Sequence, residues 1–312
     1  KMGPLYGIKQ GVGKVTRAPF PKIRMRLRKG PSFKHALNAM HPSHLPLPRA
    51  VGGYSVIRTT DIINSDRAAV LFGCMKGPGA EFTETCWLSA IGVTNNGSVT
   101  NAINGATNSN FLVSAPLDTS SLNGCKLVPA AITVQVMNGT ALQTTNGIVY
   151  VGRSKTVLDL MGNTRTWVDL MKELVSYSAP RLCSAGKLAL RGVQVNAIPN
   201  NMSVLSDFTP RRIAAGGAQT WTEDTYAADF EGFGPIFIYN PENVPLNYLV
   251  TIEWRMRFDP LNPAYAGHTV HTPASESTWS RVIADAESAG NGVYDIADVA
   301  ADIAIAASLA GA

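Results

Sequence analysis

No aspartate or glutamate occurs among the first sixty residues of this 312-residue chain. Twelve of the 27 lysine and arginine residues lie in that stretch, so the rest of the chain has fifteen basic residues against all 22 acidic ones. The overall charge of +5 conceals this division. A strongly cationic leader joined to a mildly acidic body favours a leader that binds a polyanion while the body has another task.

Cysteine is scarce and long apolar runs are missing. The chain has four cysteines, and none of them forms a CxxC pair, so neither a zinc site nor a thioredoxin motif is expected. Free thiols in a reducing compartment are the simplest interpretation. No stretch of about eighteen uncharged apolar residues predicts a membrane-spanning helix, and the leader lacks the apolar block of a signal peptide.

Motifs for catalysis are also missing. The sequence has no GxSxG elbow, Walker loop, HExxH helix or EF-hand loop. We therefore expect no enzymatic activity and assign no catalytic or metal-binding residue. Calcium at subunit interfaces is a hypothesis without assigned ligands, because loop carboxylates can bind Ca²⁺ when two subunits share the site. The carboxylates considered are Asp61, Asp66, Asp224, Asp229 and Glu231.

The body has the composition of a β protein. It is rich in glycine, proline, threonine and asparagine, which suggests many short strands joined by turns. Strands are predicted at 54–60, 68–74, 127–136, 148–152, 188–195, 236–239 and 250–258. In 188–195 a bulge is expected at Arg191-Gly192. In 250–258 the strict alternation predicts a half-buried strand, with Thr251, Glu253, Arg255 and Arg257 on the face away from the core.

Two helices are predicted within this pattern. At 166–175 four apolar residues share one face, and Thr166 with Asp169 resembles a capping box. Near the C-terminus, Ile296, Val299 and Ile303 form an apolar stripe, and Asp295, Asp298 and Asp302 form an acidic one. The predicted fold is an all-β, eight-stranded antiparallel sandwich or jelly roll with a short inserted helix and a helical C-terminal segment.

The chain divides into three predicted parts. Residues 1–50 are a basic extended arm that ends in a proline-rich linker, 51–263 are the shell domain, and 264–312 are a C-terminal extension with an amphipathic helix. The arm suits contact with a phosphate backbone, because its aromatic residues are too few for a base-stacking groove. Its predicted RNA-binding residues are Lys9, Lys14, Arg17, Lys22, Arg24, Arg26, Arg28, Lys29 and Lys34. A solvated tail is the simpler alternative.

Two stretches resemble the coat proteins of small non-enveloped positive-strand RNA viruses. Residues 125–152 read CKLVPAAITVQVMNGTALQTTNGIVYVG and are similar to a pair of strands around a short Asn/Gly turn. Residues 239–263 are similar to the last two barrel strands and their exit, which is rich in proline and asparagine. The likeness is nearest to the nodavirus shell and more distant to tombusviruses and sobemoviruses.

This resemblance implies the viral jelly roll, with the arm facing inward onto genomic single-stranded RNA. Many copies would form an icosahedral shell, with a T=3 arrangement expected. The partners would be other copies of the chain, the RNA and a host-cell receptor. The protein would be synthesised in the host cytoplasm and reside in the virion.

The resemblance also bears on the C-terminus. Nodavirus coats cut themselves with the help of a buried aspartate that precedes the barrel, and this chain has no acidic residue before Asp61. We therefore predict no self-cleavage. Residues 283–312 occupy the place of the nodavirus membrane-active peptide, so transient membrane contact and packing beneath the shell are both open.

Two other functional classes remain open. One is a cellular nucleic-acid-binding protein whose sandwich docks on a ribonucleoprotein. The other is a secreted jelly-roll binding module with a polyanion-binding tail. Assembly into large particles distinguishes the capsid from both.

Overall fold

A computed structural model describes most of the body of the chain. The described residues are 36–41, 44–45, 47, 49–76, 88–103, 109–113, 125–156, 158–160, 162–199, 203–206, 208–213, 221–223, 233–288 and 292–300.

Strands are the main secondary structure. They are β1 Gly53–Ser65, β2 Ala69–Lys76, β3 Leu88–Asn95, β4 Ser109–Val113, β5 Lys126–Met137, β6 Ile148–Arg153, β7 Leu158–Asp159, β8 Arg181–Ser184, β9 Val193–Asn196, β10 Thr209–Ile213, β11 Trp221–Glu223, β12 Ile236–Tyr239, β13 Leu246–Arg257, β14 Thr269–Val270 and β15 Val293–Asp295. The helices are α1 Trp167–Ser178, α2 Ala185–Leu190 and α3 Glu276–Ser288. Short 3₁₀ helices occur at Ser203–Ser206 and Pro263–Gly267.

Eight of these strands form two facing four-stranded sheets. Sheet 1 has the order β1-β13-β5-β9, and sheet 2 has the order β2-β12-β6-β8. All neighbours within these two sets are antiparallel. Short strands extend both sheets, with β14 beside β1, β15 beside β9, and β3 and β4 beyond β2.

The order of these eight strands along the chain identifies a jelly roll. Each connection between successive strands of this set leads from one sheet to the other, with one exception. The successive strands β6 and β8 both lie in sheet 2, where they are neighbours. Helix α1 lies in that connection. Antiparallel strands that alternate between two sheets in this way form two interlocked Greek keys. The predicted all-β jelly-roll sandwich with one inserted helix is therefore confirmed.

The core lies between the two sheets. Val250, Ile252 and Trp254 of β13 belong to one buried cluster with Val70 and Phe72 of β2. The indole Nε1 of Trp254 donates a hydrogen bond of 2.8 Å to the Thr59 hydroxyl of β1. This bond satisfies the polar atom of a large side chain that otherwise contributes apolar area.

Helix α1 covers the outer face of sheet 2. The Thr166 hydroxyl accepts the backbone amide of Asp169 at 3.2 Å, which caps the first turn as predicted. The buried residues of the helix are Trp167, Leu170, Met171 and Leu174. They pack on Leu71 of β2 and Phe237 of β12, which point away from the core between the sheets. The predicted helix and its buried face are confirmed.

The predicted strand at 188–195 is wrong in its first half. Residues 185–190 form helix α2, because the Ser184 hydroxyl caps it by accepting the Lys187 amide at 3.2 Å. Leu188 is buried and Leu190 is exposed, which fits a helical turn. Gly192 has a φ of +60°, so the chain leaves the helix there and β9 begins at Val193.

The C-terminal extension packs on the sandwich in two places. Helix α3 contributes Trp279 and Val282 to the core cluster. Strand β15 pairs with β9, and Asp295 at its end lies 3.0 Å from the Arg181 guanidinium. Asp295 is thus in a strand and not in the predicted helical stripe, whereas residues 296–300 are helical. Among the described helices, none is long and apolar enough to cross a membrane.

Candidate functional site

Part of the outer face of sheet 1 is buried, contrary to the sequence prediction, although Arg58, Thr60 and Ile62 of β1 on that face are exposed. Thr251, Glu253 and Arg255 of β13 are 3%, 2% and 1% exposed, although they point away from the apolar core. The prediction of a half-buried β13 is therefore wrong. Another part of the chain covers this polar face, and alternation along one strand cannot reveal such a cover.

The cover is a segment of the predicted arm and linker, residues 1–50, and it follows the nine predicted RNA-binding residues. We call the described residues of 36–47 the anchor segment; Ala36, Leu37, Ala39, Leu45 and Leu47 in it are all buried. Its first contacts are with β5, where the Ala39 amide donates to the Thr133 hydroxyl at 2.8 Å. Next along the same strand, the Gln135 side-chain amide donates to the Met40 sulfur at 3.4 Å.

An ion-pair group fastens the middle of the anchor segment. The Glu253 carboxylate on β13 lies 2.9 Å from Arg58, its cross-strand partner on β1, and 2.8 Å from Nδ1 of His44. Arg58 also donates to the His41 carbonyl at 2.8 Å. The buried carboxylate is thus held between two cationic or hydrogen-bonding partners, one of which belongs to the anchor segment.

Arg255 holds the last part of the anchor segment. Its guanidinium donates to the Leu205 carbonyl at 2.7 Å and to the Leu45 carbonyl. Burial lowers the pKa of Arg255, and the nearby Tyr54 and Glu253 oppose that shift. Backbone carbonyls in a fixed geometry are therefore the main partners of a buried cation, and they determine where Leu45 lies.

The remaining polar side chains of this face bond to each other. Thr133 donates to Asn196 at 3.0 Å, and Gln135 donates to Gln194 at 2.9 Å. Gln194 in turn donates to Asn196 at 3.1 Å. This network joins β5 to β9 beneath the anchor segment. A buried polar network of this kind specifies one arrangement because each bond is directional.

The anchor segment also forms hydrogen bonds with the C-terminal extension. The Leu47 carbonyl accepts the Ala274 amide at 2.9 Å and the Trp279 indole Nε1 at 3.2 Å. The C-terminal extension is therefore bonded to the same segment that follows the basic arm.

The predicted RNA-binding residues lie outside the described residues. They are Lys9, Lys14, Arg17, Lys22, Arg24, Arg26, Arg28, Lys29 and Lys34. The anchor segment follows them in the sequence and contacts the outer face of sheet 1 from Ala39 onward. Sequence reasoning treated residues 41–48 as a linker and missed the anchor. The available signal was the set of apolar residues Leu37, Leu45 and Leu47 among the prolines.

The carboxylates considered for calcium are not gathered at one described site. Asp61 accepts the Ile62 amide, and Asp66 forms an exposed pair with Arg67 at 3.8 Å. Asp224, Asp229 and Glu231 lie outside the described residues. Within the described part of the chain, no group of three histidine, cysteine or acidic side chains is placed to hold a metal ion. Cys125 and Cys183 are buried free thiols.

Comparison with known proteins gives structural neighbours but no family. No protein-family model matches the chain, and no curated protein matches it.

Several solved viral structures contain chains with a similar arrangement. One is from infectious bursal disease virus, strain Gx, with 9% identity, a TM-score of 0.43 and coverage of 88% of this chain and 99% of that chain. Another is the 60-mer capsid protein of BFDV, with 12% identity, a TM-score of 0.31 and coverage of 69% and 99%. A third is Mud crab tombus-like virus, with 10% identity, a TM-score of 0.28 and coverage of 90% and 99%. The fold assignment rests on the strand order of this chain and not on these scores.

Proposed function

We propose that this chain is a structural capsid subunit that assembles with many copies of itself and packages single-stranded genomic RNA through its basic arm. The observation that carries the proposal is the anchor segment. It follows the cationic residues in the sequence and packs on one defined face of the jelly-roll body, which supports an assembly in which every copy presents its arm from the same side. Repetition of the arms would then raise the local concentration of positive charge.

The chemistry of the arm suits a nucleotide polymer. Lysine and arginine neutralise phosphates and release counterions, which gives binding that depends little on sequence and strongly on salt. The nine residues between Lys9 and Lys34 named above are the proposed contacts. If all nine bind phosphates, the logarithm of the binding constant should fall with the logarithm of salt concentration at a slope of about −6 for single-stranded RNA.

Several finer points belong to this proposal. The arm faces the interior of an icosahedral shell, for which a T=3 arrangement is proposed, and the protein resides in the virion after synthesis in the host cytoplasm. Residues 1–50, 51–263 and 264–312 act as arm, shell and extension. The subunit has no catalytic role. Calcium between subunits, a host receptor and transient membrane contact by the C-terminal segment are secondary proposals.

A charge-neutralisation experiment tests the role of the arm. In one variant, the nine arm residues are changed to glutamine. In the control, four exposed cations of the body are changed to glutamine instead: Lys126, Lys155, Lys172 and Arg191. The wild-type chain and the control should sediment as particles with nuclease-protected RNA. The arm variant should lose most of that RNA, and the slope of its salt dependence should approach zero.

Two results would contradict the proposal. If the wild-type chain stays a monomer or small oligomer at low salt with RNA present, the capsid function is wrong and a binding module with a polyanion-binding tail is favoured. If the arm variant packages as much RNA as the wild-type chain, packaging does not depend on the nine arm residues and that part of the proposal is wrong.

A further inference from the structure

Four of the five histidines of the chain lie in the anchor segment and beside β14, which both contact β1 at what we call the junction. His41 and His44 belong to the anchor segment, and His268 and His271 flank β14. The junction joins the start of β1, the end of β13 and the first residues of the C-terminal extension. It is also rich in arginine, since Arg58, Arg255 and Arg257 come from the same two strands.

His271 is partly exposed and lies in a positively charged environment. Its ring stacks on Tyr54 with a centroid distance of 4.2 Å, and its Nε2 is 2.9 Å from the Thr269 hydroxyl. The same Tyr54 ring lies 5.7 Å from the Arg255 guanidinium on β13. A proton added to His271 would therefore place a second cation beside a buried arginine.

His268 has a geometry that requires a neutral ring nitrogen. Its Nε2 accepts the backbone amide of Phe258 at 3.1 Å, at the point where the chain leaves β13. The ring also lies against Phe258 and Tyr265, with centroid distances of 5.7 Å and 4.7 Å. Protonation of Nε2 would turn this acceptor into a donor that faces another donor.

The junction holds little negative charge to compensate. The titratable and charged groups around the two histidines are His41 and His44 of the anchor segment, Tyr54 and Arg58 of β1, Glu253, Arg255 and Arg257 of β13, and Tyr265. Glu253 is the one carboxylate in that described set, and Arg58 and His44 already pair with it. Asp259, the next acidic residue along the chain, accepts the Leu261 amide in an exposed turn.

We propose that this junction is an acid-sensitive clasp, in which protonation of His271 and His268 loosens β14 from β1 and releases the C-terminal extension together with the anchor segment. The pairing of β14 with β1 has only two residue pairs, Gly53 with Val270 and Tyr54 with Thr269, so its own stability is small. The chain after β14 holds the Leu47 carbonyl through Ala274 and Trp279. If β14 separates from β1, the hydrogen bonds to the Leu47 carbonyl of the anchor segment are therefore weakened as well.

The sign of the pH effect follows from the environment of His271. Burial first, and then Arg255 and His44, lowers the pKa of His271. A histidine in the unfolded chain has a pKa of about 6.5. The folded state therefore binds fewer protons, so the contribution of His271 to stability is complete above that pH and is lost as the pH falls below it.

Hydrogen exchange of the full-length chain at pH 7.5 and pH 5.0, corrected for intrinsic rates, tests the clasp. Peptides from 36–58 and 258–279 should exchange roughly tenfold faster at the lower pH, whereas peptides of β6 and β12 should be unchanged. Equal protection at both pH values would overturn the proposal. So would an equal loss across all strands, because that indicates general acid unfolding.

Two substitutions make the test specific. His271→Phe keeps a ring on Tyr54 without a titrating group, and His268→Gln keeps a side-chain acceptor for the Phe258 amide. In the double variant the pH-dependent loss of protection should vanish, and its persistence would assign the effect to carboxylates and contradict the clasp. If the double variant does not fold at pH 7.5, the His271→Phe chain alone must remove most of the loss. None of these readouts depends on particle formation or RNA.

Discussion

Each sheet of the jelly roll has a buried region on its outer face, but different interactions hold the two covers. On sheet 2, a capped helix lays Trp167 and Leu170 on Leu71 and Phe237. On sheet 1, a segment with little regular structure is held by hydrogen bonds and ion pairs from Thr133, Glu253, Arg255 and their neighbours. The cover of sheet 2 thus packs through apolar side chains, whereas the cover of sheet 1 combines the buried Leu37, Leu45 and Leu47 with directional bonds.

The difference concerns how each cover can be removed. Apolar burial contributes about 1.5–3 kcal/mol for each large side chain and does not depend on protonation. Hydrogen bonds contribute about 0.5–1.5 kcal/mol each, but they need one geometry and one charge state. The cover of sheet 2 should therefore be insensitive to pH, while the directional bonds in the cover of sheet 1 are the ones that pH and single polar substitutions can weaken.

The largest expected effect is on the apolar side. Trp167→Ala should destabilise the folded chain by about 3–5 kcal/mol, because it removes a fully buried aromatic side chain between α1 and sheet 2. Urea unfolding measures this change. The matched control is Tyr177→Ala on the same helix, where the side chain is 83% exposed and the change should stay within about 0.5 kcal/mol. Similar values for both variants would mean that α1 does not pack as described.

A smaller effect is expected on the polar side. Thr133→Val keeps the shape of the side chain but leaves the buried Ala39 amide without its acceptor, which should cost about 1–3 kcal/mol. Hydrogen exchange should show the loss of protection in 36–41 before any change in α1. Ile62→Val, at a side chain of β1 that is 71% exposed on the same sheet, is the control and should change stability by less than about 0.5 kcal/mol. Uniform destabilisation by Thr133→Val would show that the two covers are not separable.

The smallest expected effect is at the start of α1. Thr166→Ala removes the side chain that caps the helix and should cost about 1 kcal/mol. Thermal unfolding with Ser176→Ala as the control on the same helix measures it. Because the cap acts only on the cover of sheet 2, exchange in the anchor segment should not change. Faster hydrogen exchange of the anchor segment in the Thr166→Ala chain would show that the two covers are coupled, contrary to this prediction.

Much of the fold was predictable because its signals are local. Alternation marked β13 and β5, the Asn-Gly turn marked the start of β6, and Thr166 marked the first turn of α1. The wrong strand prediction in the first half of 188–195 also has a local cause. Leu188 and Leu190 are two apart, which mimics a strand, but the Ser184 cap and Gly192 make the short helix fit between β8 and β9.

The anchor segment was not predictable by the same means. Its residues have no helical or strand periodicity, and their partners lie far away in the sequence, as with Ala39 and Thr133 or Leu45 and Arg255. When β13 is considered alone, the polar side chains on one of its faces predict that this face is exposed to solvent. Only the approach of a distant segment converts Glu253 and Arg255 into buried groups.

The sequence by itself determined the segregation of charge, the β composition and the two-residue periodicity of the main strands, because these properties depend on residues that are neighbours in the chain. The tertiary structure alone decided that the anchor segment lies on the outer face of sheet 1 and that His44 and His271 lie near arginines of β1 and β13. The physical reason is that burial and electrostatic environment are set by segments that approach from the two ends of the chain, and no local pattern records which segments meet.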